Sequence, residues 1–148
     1  MKKYLLFLLL ASLLLSACSA GKEKSLIGTW TLTGYGPPSA PIPVTAASQA
    51  SLTFHENGAV DGNSGCNSFG GEYKVDGDQI TFGALVSTLM ACDEPLMSQE
   101  GIVFQVLSGT ATYKIAGDTL TITNNGMALV FVSSEPQSYP AAYPAYPQ

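Results

Sequence analysis

Few side chains in this chain could carry chemistry, and their spacing says what kind. There is one histidine, His55, and there are three cysteines, Cys18, Cys66 and Cys92. A Ser/His/Asp relay needs its imidazole held beside a nucleophile and an acid. A single histidine next to Glu56-Asn57-Gly58 reads instead as an exposed turn residue. Zinc sites gather several Cys or His ligands at close spacing, and no such set exists here. Asp61-Gly62-Asn63 and Asp76-Gly77-Asp78 open like calcium loops. Neither continues into the full ligand series with its closing glutamate, so both read as turns. Gly62–Gly71 is rich in glycine but lacks the Lys-Ser/Thr ending of a phosphate loop. No catalytic residue, metal ligand or cofactor site is assigned, and a non-enzymatic protein is expected.

The stretch Gly62-Asn-Ser-Gly-Cys-Asn-Ser-Phe-Gly-Gly71 still stands out. Glycine supplies positive φ, and Asn and Ser bond their own backbone, so helix and regular strand are both disfavoured here. The segment needs a fastening. The other cysteine outside the leader is Cys92, in Thr88-Leu-Met-Ala-Cys92-Asp-Glu-Pro95. A Cys66–Cys92 bridge would tie the glycine loop to the entrance of a helix. Asn63, Ser64, Asn67 and Phe69 are the loop's candidate partner-binding residues. Glu100 has two readings. It lies at the edge of a helical apolar stripe with its carboxylate in water, or it bonds the glycine loop's N–H groups.

The chain start places the protein. Met1-Lys2-Lys3 precedes an apolar run over Tyr4–Leu15, followed by Leu15-Ser16-Ala17-Cys18. A charged start, a short apolar run and small residues describe a secretory signal, and the run is too short for a good membrane span. Leu-Ser-Ala-Cys resembles the lipobox of bacterial lipoproteins. That resemblance implies cleavage after Ala17 and lipidation of Cys18, with residues 18–25 as a spacer. Ser19 is similar to the outer-membrane sorting pattern, so the expected location is the cell envelope, facing the periplasm in a double-membrane bacterium. In that oxidising compartment a cysteine pair bridges. A reversible redox pair is less favoured, because there is no Cys-x-x-Cys and Lys74 is the closest lysine in sequence.

Removing Met1–Ala17 leaves 131 of the 148 residues, the size of one domain. Four lysines then face eleven acids, a net charge of −7, and the chain has no arginine. Such a surface excludes nucleic acid and electrostatic docking on anionic lipid as partners. The membrane would be held through acyl chains alone. A monomer is expected.

The elements that position these residues follow from periodicity and turn chemistry. Leu26–Thr33 reads as a strand carrying the sole tryptophan, Trp30, into the core. Gly34–Ala50 holds Pro37, Pro38, Pro41 and Pro43 and reads as a loop or irregular edge covering a sheet edge or an open barrel end. Strands over Ser51–His55 and Ala59–Asn63 flank Asn57-Gly58, a hairpin signal. Glu72–Val75 and Gln79–Phe82 flank Asp76-Gly77-Asp78. Thr110–Ile115, Thr119–Thr123 and Met127–Val132 form a meander with turns at Gly117 and Asn125-Gly126. Asp93-Glu94-Pro95 starts a helix, Val103, Phe104 and Leu107 give its apolar face, and Ser108-Gly109 ends it. Gly101 inside it reads as a point of close packing against the sheet. Ser133–Gln148, rich in Tyr-Pro, reads as a disordered tail near polyproline II, either a solvated end or a strip that binds a partner.

The order of these pieces resembles a family. Gly28-Thr-Trp30-Thr-Leu32, Leu52-Thr-Phe54, Gly62-Asn-Ser-Gly-Cys-Asn67-Ser-Phe-Gly-Gly-Glu-Tyr73, Ile80-Thr-Phe82, Thr88-Leu-Met-Ala-Cys92 and Leu120-Thr-Ile are similar to the META domain, as in HslJ-like bacterial proteins. The resemblance covers residues 26–132. One departure is Leu89, where the family often has arginine. The resemblance implies an α+β fold in which a compact, barrel-like antiparallel sheet of about eight short strands curls around one α-helix. It implies association with heat or antibiotic stress and no known enzymatic activity. The expected function is a lipid-anchored envelope protein that binds or supports another envelope component. Gly28-Thr-Trp30 is also similar to lipocalins, so a small-molecule carrier stands as the alternative. An inhibitor of exported proteases is a third, weaker reading.

Overall fold

A computed structural model describes residues 25–45 and 48–134. The signal segment, Cys18, most of the spacer and the tail from residue 135 lie outside the described residues.

The elements run β1 (Gly28–Gly36), β2 (Ile42–Pro43), β3 (Ser51–Phe54), β4 (Ala59–Asn63), β5 (Ser68–Asp76), β6 (Gln79–Phe82), β7 (Val86–Ser87), α1 (Glu94–Val106), β8 (Gly109–Ala116), β9 (Thr119–Asn124) and β10 (Met127–Ser133). Eight of the strands close a ring in the order β1-β3-β4-β5-β6-β8-β9-β10, and β10 returns to β1. All pairings are antiparallel. The closing seam runs from Trp30 opposite Ser133 to Gly36 opposite Ala128, with a register shift between Leu32 and Gly34. Among the described residues this is the expected barrel-like antiparallel sheet with one helix.

Alternate residues point inward. Trp30, Leu32, Leu52, Phe54, Val60, Ile80, Leu120, Ile122, Leu129 and Phe131 are buried in one continuous cluster. Phe54 meets Tyr73 edge-on at 4.9 Å between centroids. An eight-stranded barrel is just wide enough for side chains to fill, and here they do. Trp30 is core, as expected, and its indole N–H donates to the Leu26 carbonyl at 2.8 Å. Each such large apolar side chain stabilises the fold by about 1.5–3 kcal/mol on burial.

The two ends of the barrel differ. One end carries residues 25 and 134 and the hairpin turns at Gly58, Gly77 and Gly117, each glycine at positive φ. The other end carries the Pro-rich loop, the Ser64–Asn67 loop, the segment after Phe82 and α1. The helix caps this end, with Val103, Val106 and Leu107 entering the core cluster. Its C-terminus is held from β9, because the Asn124 amide donates to the carbonyls of Val106 at 3.2 Å and Ser108 at 2.7 Å.

Three local expectations change. β1 continues to Gly36, into the expected Pro-rich loop, and β2 pairs beside it at Gly34–Tyr35. Strand β5 begins at Ser68, so the irregular part of the glycine stretch shrinks to Ser64–Asn67. Pairing on both sides, with β4 and with β7, holds these glycines extended despite their freedom. Gly101 does not mark close packing. It is exposed, and a Cβ there would meet nothing within 4 Å.

Candidate functional site

Cys66, Cys92, the rest of the glycine loop and Glu100 converge at the helix-capped end. Cys66 and Cys92 are bridged, with Cα atoms 5.9 Å apart. The bridge joins the Ser64–Asn67 loop to the residue before the N-cap Asp93 of α1.

Asn67 is the hub. The residue is 2% exposed and its side chain makes five hydrogen bonds, one of them the long contact from Nδ2 to Cys66 Sγ at 3.4 Å. Its Oδ1 accepts from the Met90 N–H at 2.7 Å and from the Thr88 hydroxyl at 2.7 Å. Its Nδ2 donates to the Met90 carbonyl at 3.1 Å and to Glu100 Oε1 at 3.0 Å. The Met90 pair reproduces a β-ladder rung with a side-chain amide. It continues the pairing in which Gly70 faces Val86, Phe69 faces Ser87 and the Thr88 N–H donates to the Ser68 carbonyl at 3.0 Å.

Glu100 completes the loop. Its Oε2 accepts the Asn67 N–H at 3.1 Å and the Ser64 hydroxyl. Of its two readings, the carboxylate bonded to the glycine loop is the one the structure shows. Ser64 Oγ in turn accepts from the Asn67 N–H at 3.0 Å. Gln99 lies beside it, 1% exposed, donating to the Ser64 carbonyl at 2.6 Å and to Ser48 Oγ at 2.9 Å. Asn63 accepts the Gly65 N–H at 2.7 Å, an Asx turn. Gly65 has φ +104°, and a Cβ there would sit 2.4 Å from Gln99 Nε2. Only glycine fits without displacement. Among the described residues no buried side-chain N or O atom lacks a partner.

This geometry revises the role of the loop. Ser64, Asn67 and Phe69 are buried, with Phe69 packed edge-on against Phe104 of α1 at 5.4 Å. Their polar and aromatic groups are occupied internally, so they hold the site rather than present it. Asn63 alone of the four expected contact residues is partly exposed. What faces solvent is the neighbouring segment, with Val86 76%, Leu89 95% and Met90 57% exposed. Sequence reasoning overlooked Gln99 and Thr88. Gln99 had a signal, since it lies four residues before Val103 on the buried face. Thr88 had none, because its partner is twenty-one residues away in the chain.

His55 is an exposed turn residue, as expected, paired with Asp61. It stands at the opposite end from the Cys66–Cys92 bridge. Among the described residues no three His, Cys, Asp or Glu side chains converge to hold a metal ion. Burial, and secondarily the nearby Tyr113, push the Tyr73 phenol above its ordinary value. Its hydroxyl donates to the His55 carbonyl at 2.9 Å.

The model of the META domain matches residues 24–136, which include the barrel, the helix and the bridged loop. The chain belongs to the META domain family. Comparison with curated proteins gives no match. Among solved structures, this META domain is similar to a protein from Burkholderia xenovorans studied by NMR. They share 24% identity and a TM-score of 0.61, over 82% of this chain and 96% of that one. A second NMR structure is 20% identical with a TM-score of 0.60, covering 72% and 88% of the two chains. A DUF4847 family protein from Bacteroides vulgatus is 14% identical with a TM-score of 0.54, covering 71% and 91%. At these identities the likeness is one of fold.

Proposed function

We propose that this META domain is a lipid-anchored, non-catalytic envelope protein of the HslJ-like type that acts by binding another envelope component. One observation carries the reading. The polar side chains of the bridged loop and of the facing helix are locked in an internal network that leaves no buried side-chain N or O unpartnered among the described residues, and that network holds a segment bearing Val86, Leu89 and Met90 out in solvent. A site built this way fixes a contact surface and leaves no nucleophile or base poised for reaction. The filled barrel favours a protein partner over an enclosed small molecule. Lipidation at Cys18 would attach the domain through the barrel end that carries residue 25, leaving the Val86–Met90 end away from the attachment. A role under heat or antibiotic stress accords with the family resemblance.

The test is gentle native mass spectrometry of the protein extracted from its own envelope. A retained protein is the expected result. A retained small molecule instead would replace this reading with that of a carrier. Cys18→Ser is expected to move the protein out of the membrane fraction, and continued sedimentation with membranes would remove the anchor from the proposal.

A further inference from the structure

Beyond the Phe82–Gly109 rung, strands β6 and β8 part. One side continues as Gly83–Thr88 along β5. The other side is the C-terminal end of α1. A groove of about 360 Å³ lies in the parting, lined by Leu85, Ser87, Phe104 and Leu107 among others. Antiparallel geometry sets which backbone groups face it. The Thr88 N–H donates inward, to the Ser68 carbonyl, and Met90 is bonded inward by Asn67. Residues that alternate with the inward-facing ones point their N–H and C=O the other way. Ser87 and Leu89 therefore present an unpaired strand edge on the groove side. Native edges of this kind are usually covered, charged or interrupted by proline. This one bears Val86, Leu89 and Met90, all exposed.

We infer that the outer edge of Ser87–Leu89 takes up an extended polypeptide segment of apolar and basic character by strand addition. Backbone bonding gives such complexes affinity, and alternate side chains give them specificity. Phe104, Leu107 and Leu85 would receive the apolar side chains in the groove. Charge selects the basic partner. Asp93 and Glu94 follow the edge and are exposed, and the described lysines, Lys74 and Lys114, each lie three residues before the turn glycines Gly77 and Gly117 at the opposite end. A second copy of the chain would bring the same acids to the same edge. The chain's own tail carries Glu135 and no lysine, and its prolines at 136, 140, 144 and 147 lack the N–H that an added strand must donate.

This inference rests on the partner-binding reading above and has its own test. The mature full-length chain in detergent is titrated with a fluorescent peptide of about ten alternating leucines and lysines, long enough to span the edge. Binding is expected to weaken about tenfold or more when alternate peptide amides are N-methylated, in one of the two registers, or when glutamate replaces lysine. Leu89→Lys in the protein is expected to weaken it similarly, with an unchanged melting midpoint because this side chain is 95% exposed. Equal affinity for methylated and unmethylated peptides, or for the Leu89→Lys protein, would overturn the inference. So would tighter peptide binding after removal of residues 135–148, which would make the tail the occupant. A dimer that dissociates on Leu89→Lys would make the occupant a second copy. If the peptide test fails while native mass spectrometry still retains a protein, the partner-binding reading stands and its surface lies elsewhere. If the peptide binds while only a small molecule is retained, the edge is confirmed and the broader reading falls.

Discussion

Asn67 uses its full bonding capacity, two acceptor sites and two donors, in one buried position. Asn67→Ala would leave Met90 without its side-chain rung and remove a partner from both Thr88 and Glu100. Buried groups stripped of partners cost about 1–3 kcal/mol each. We expect a total loss of about 3–5 kcal/mol, read as a lower denaturant midpoint at unchanged slope. Asn67→Asp should be no better, since it removes both donors and sets a carboxylate against Glu100. A loss within 1 kcal/mol of wild type would show that the amide rung is dispensable. Tyr73 makes a prediction in pH. Its phenol is held above the ordinary value of 10.0, so the fold favours the neutral form. The associated stability is complete below about pH 10 and is lost as pH rises through the raised value. Tyr73→Phe should flatten this alkaline decline while costing about 1 kcal/mol at neutral pH for the lost bond to His55. An unaltered alkaline melting profile would assign the decline to other groups.

At the scale of elements, two glycines separate backbone need from tolerance. Gly101 sits in an exposed helical position with free space around it. Gly101→Ala should therefore stabilise the protein by about 0.5–1 kcal/mol. Gly65 has positive φ and a blocked Cβ position. Gly65→Ala should destabilise by about 2 kcal/mol or more, because a left-handed L-residue is strained and Gln99 must move. Thermal midpoints shifting in opposite directions would confirm the contrast. Equal shifts would sink it. The same contrast shows what was legible beforehand. The hairpins at Gly58, Gly77, Gly117 and Asn125-Gly126 were readable because turn chemistry is local, and all of these residues adopt positive φ. The helix start at Asp93-Glu94-Pro95 was readable for the same reason. β5 over Ser68–Gly71 was not, since its glycines are held extended by neighbours on both sides. Nor was β7, whose two residues have no periodicity to detect and whose course depends on Asn67. The bridge between Cys66 and Cys92 was legible, but the inward orientation of Ser64 and Asn67 was not, because Gln99 and Glu100 approach from a helix more than thirty residues away.

For the whole molecule, the bridge closes a sequence separation of 26 residues. In the chain-entropy model a loop of that length is worth about 3–4 kcal/mol, a large part of a small domain's stability. Cys66→Ser in oxidising buffer, or reduction of the wild-type chain, should lower unfolding stability by that amount, and coincident denaturation curves would show the bridge to be energetically idle. The barrel's seam has a different consequence. Its first strand pairs with its last, Trp30 opposite Ser133, so the ring cannot shut while the chain is still being made. Contacts this distant in sequence put folding in the millisecond-to-second range. Until β10 emerges, the edges of β1 and the half-formed sheet remain open to chaperones, proteases and any export machinery. The barrel is thus completed by β10, and a nascent chain short of that strand remains threadable.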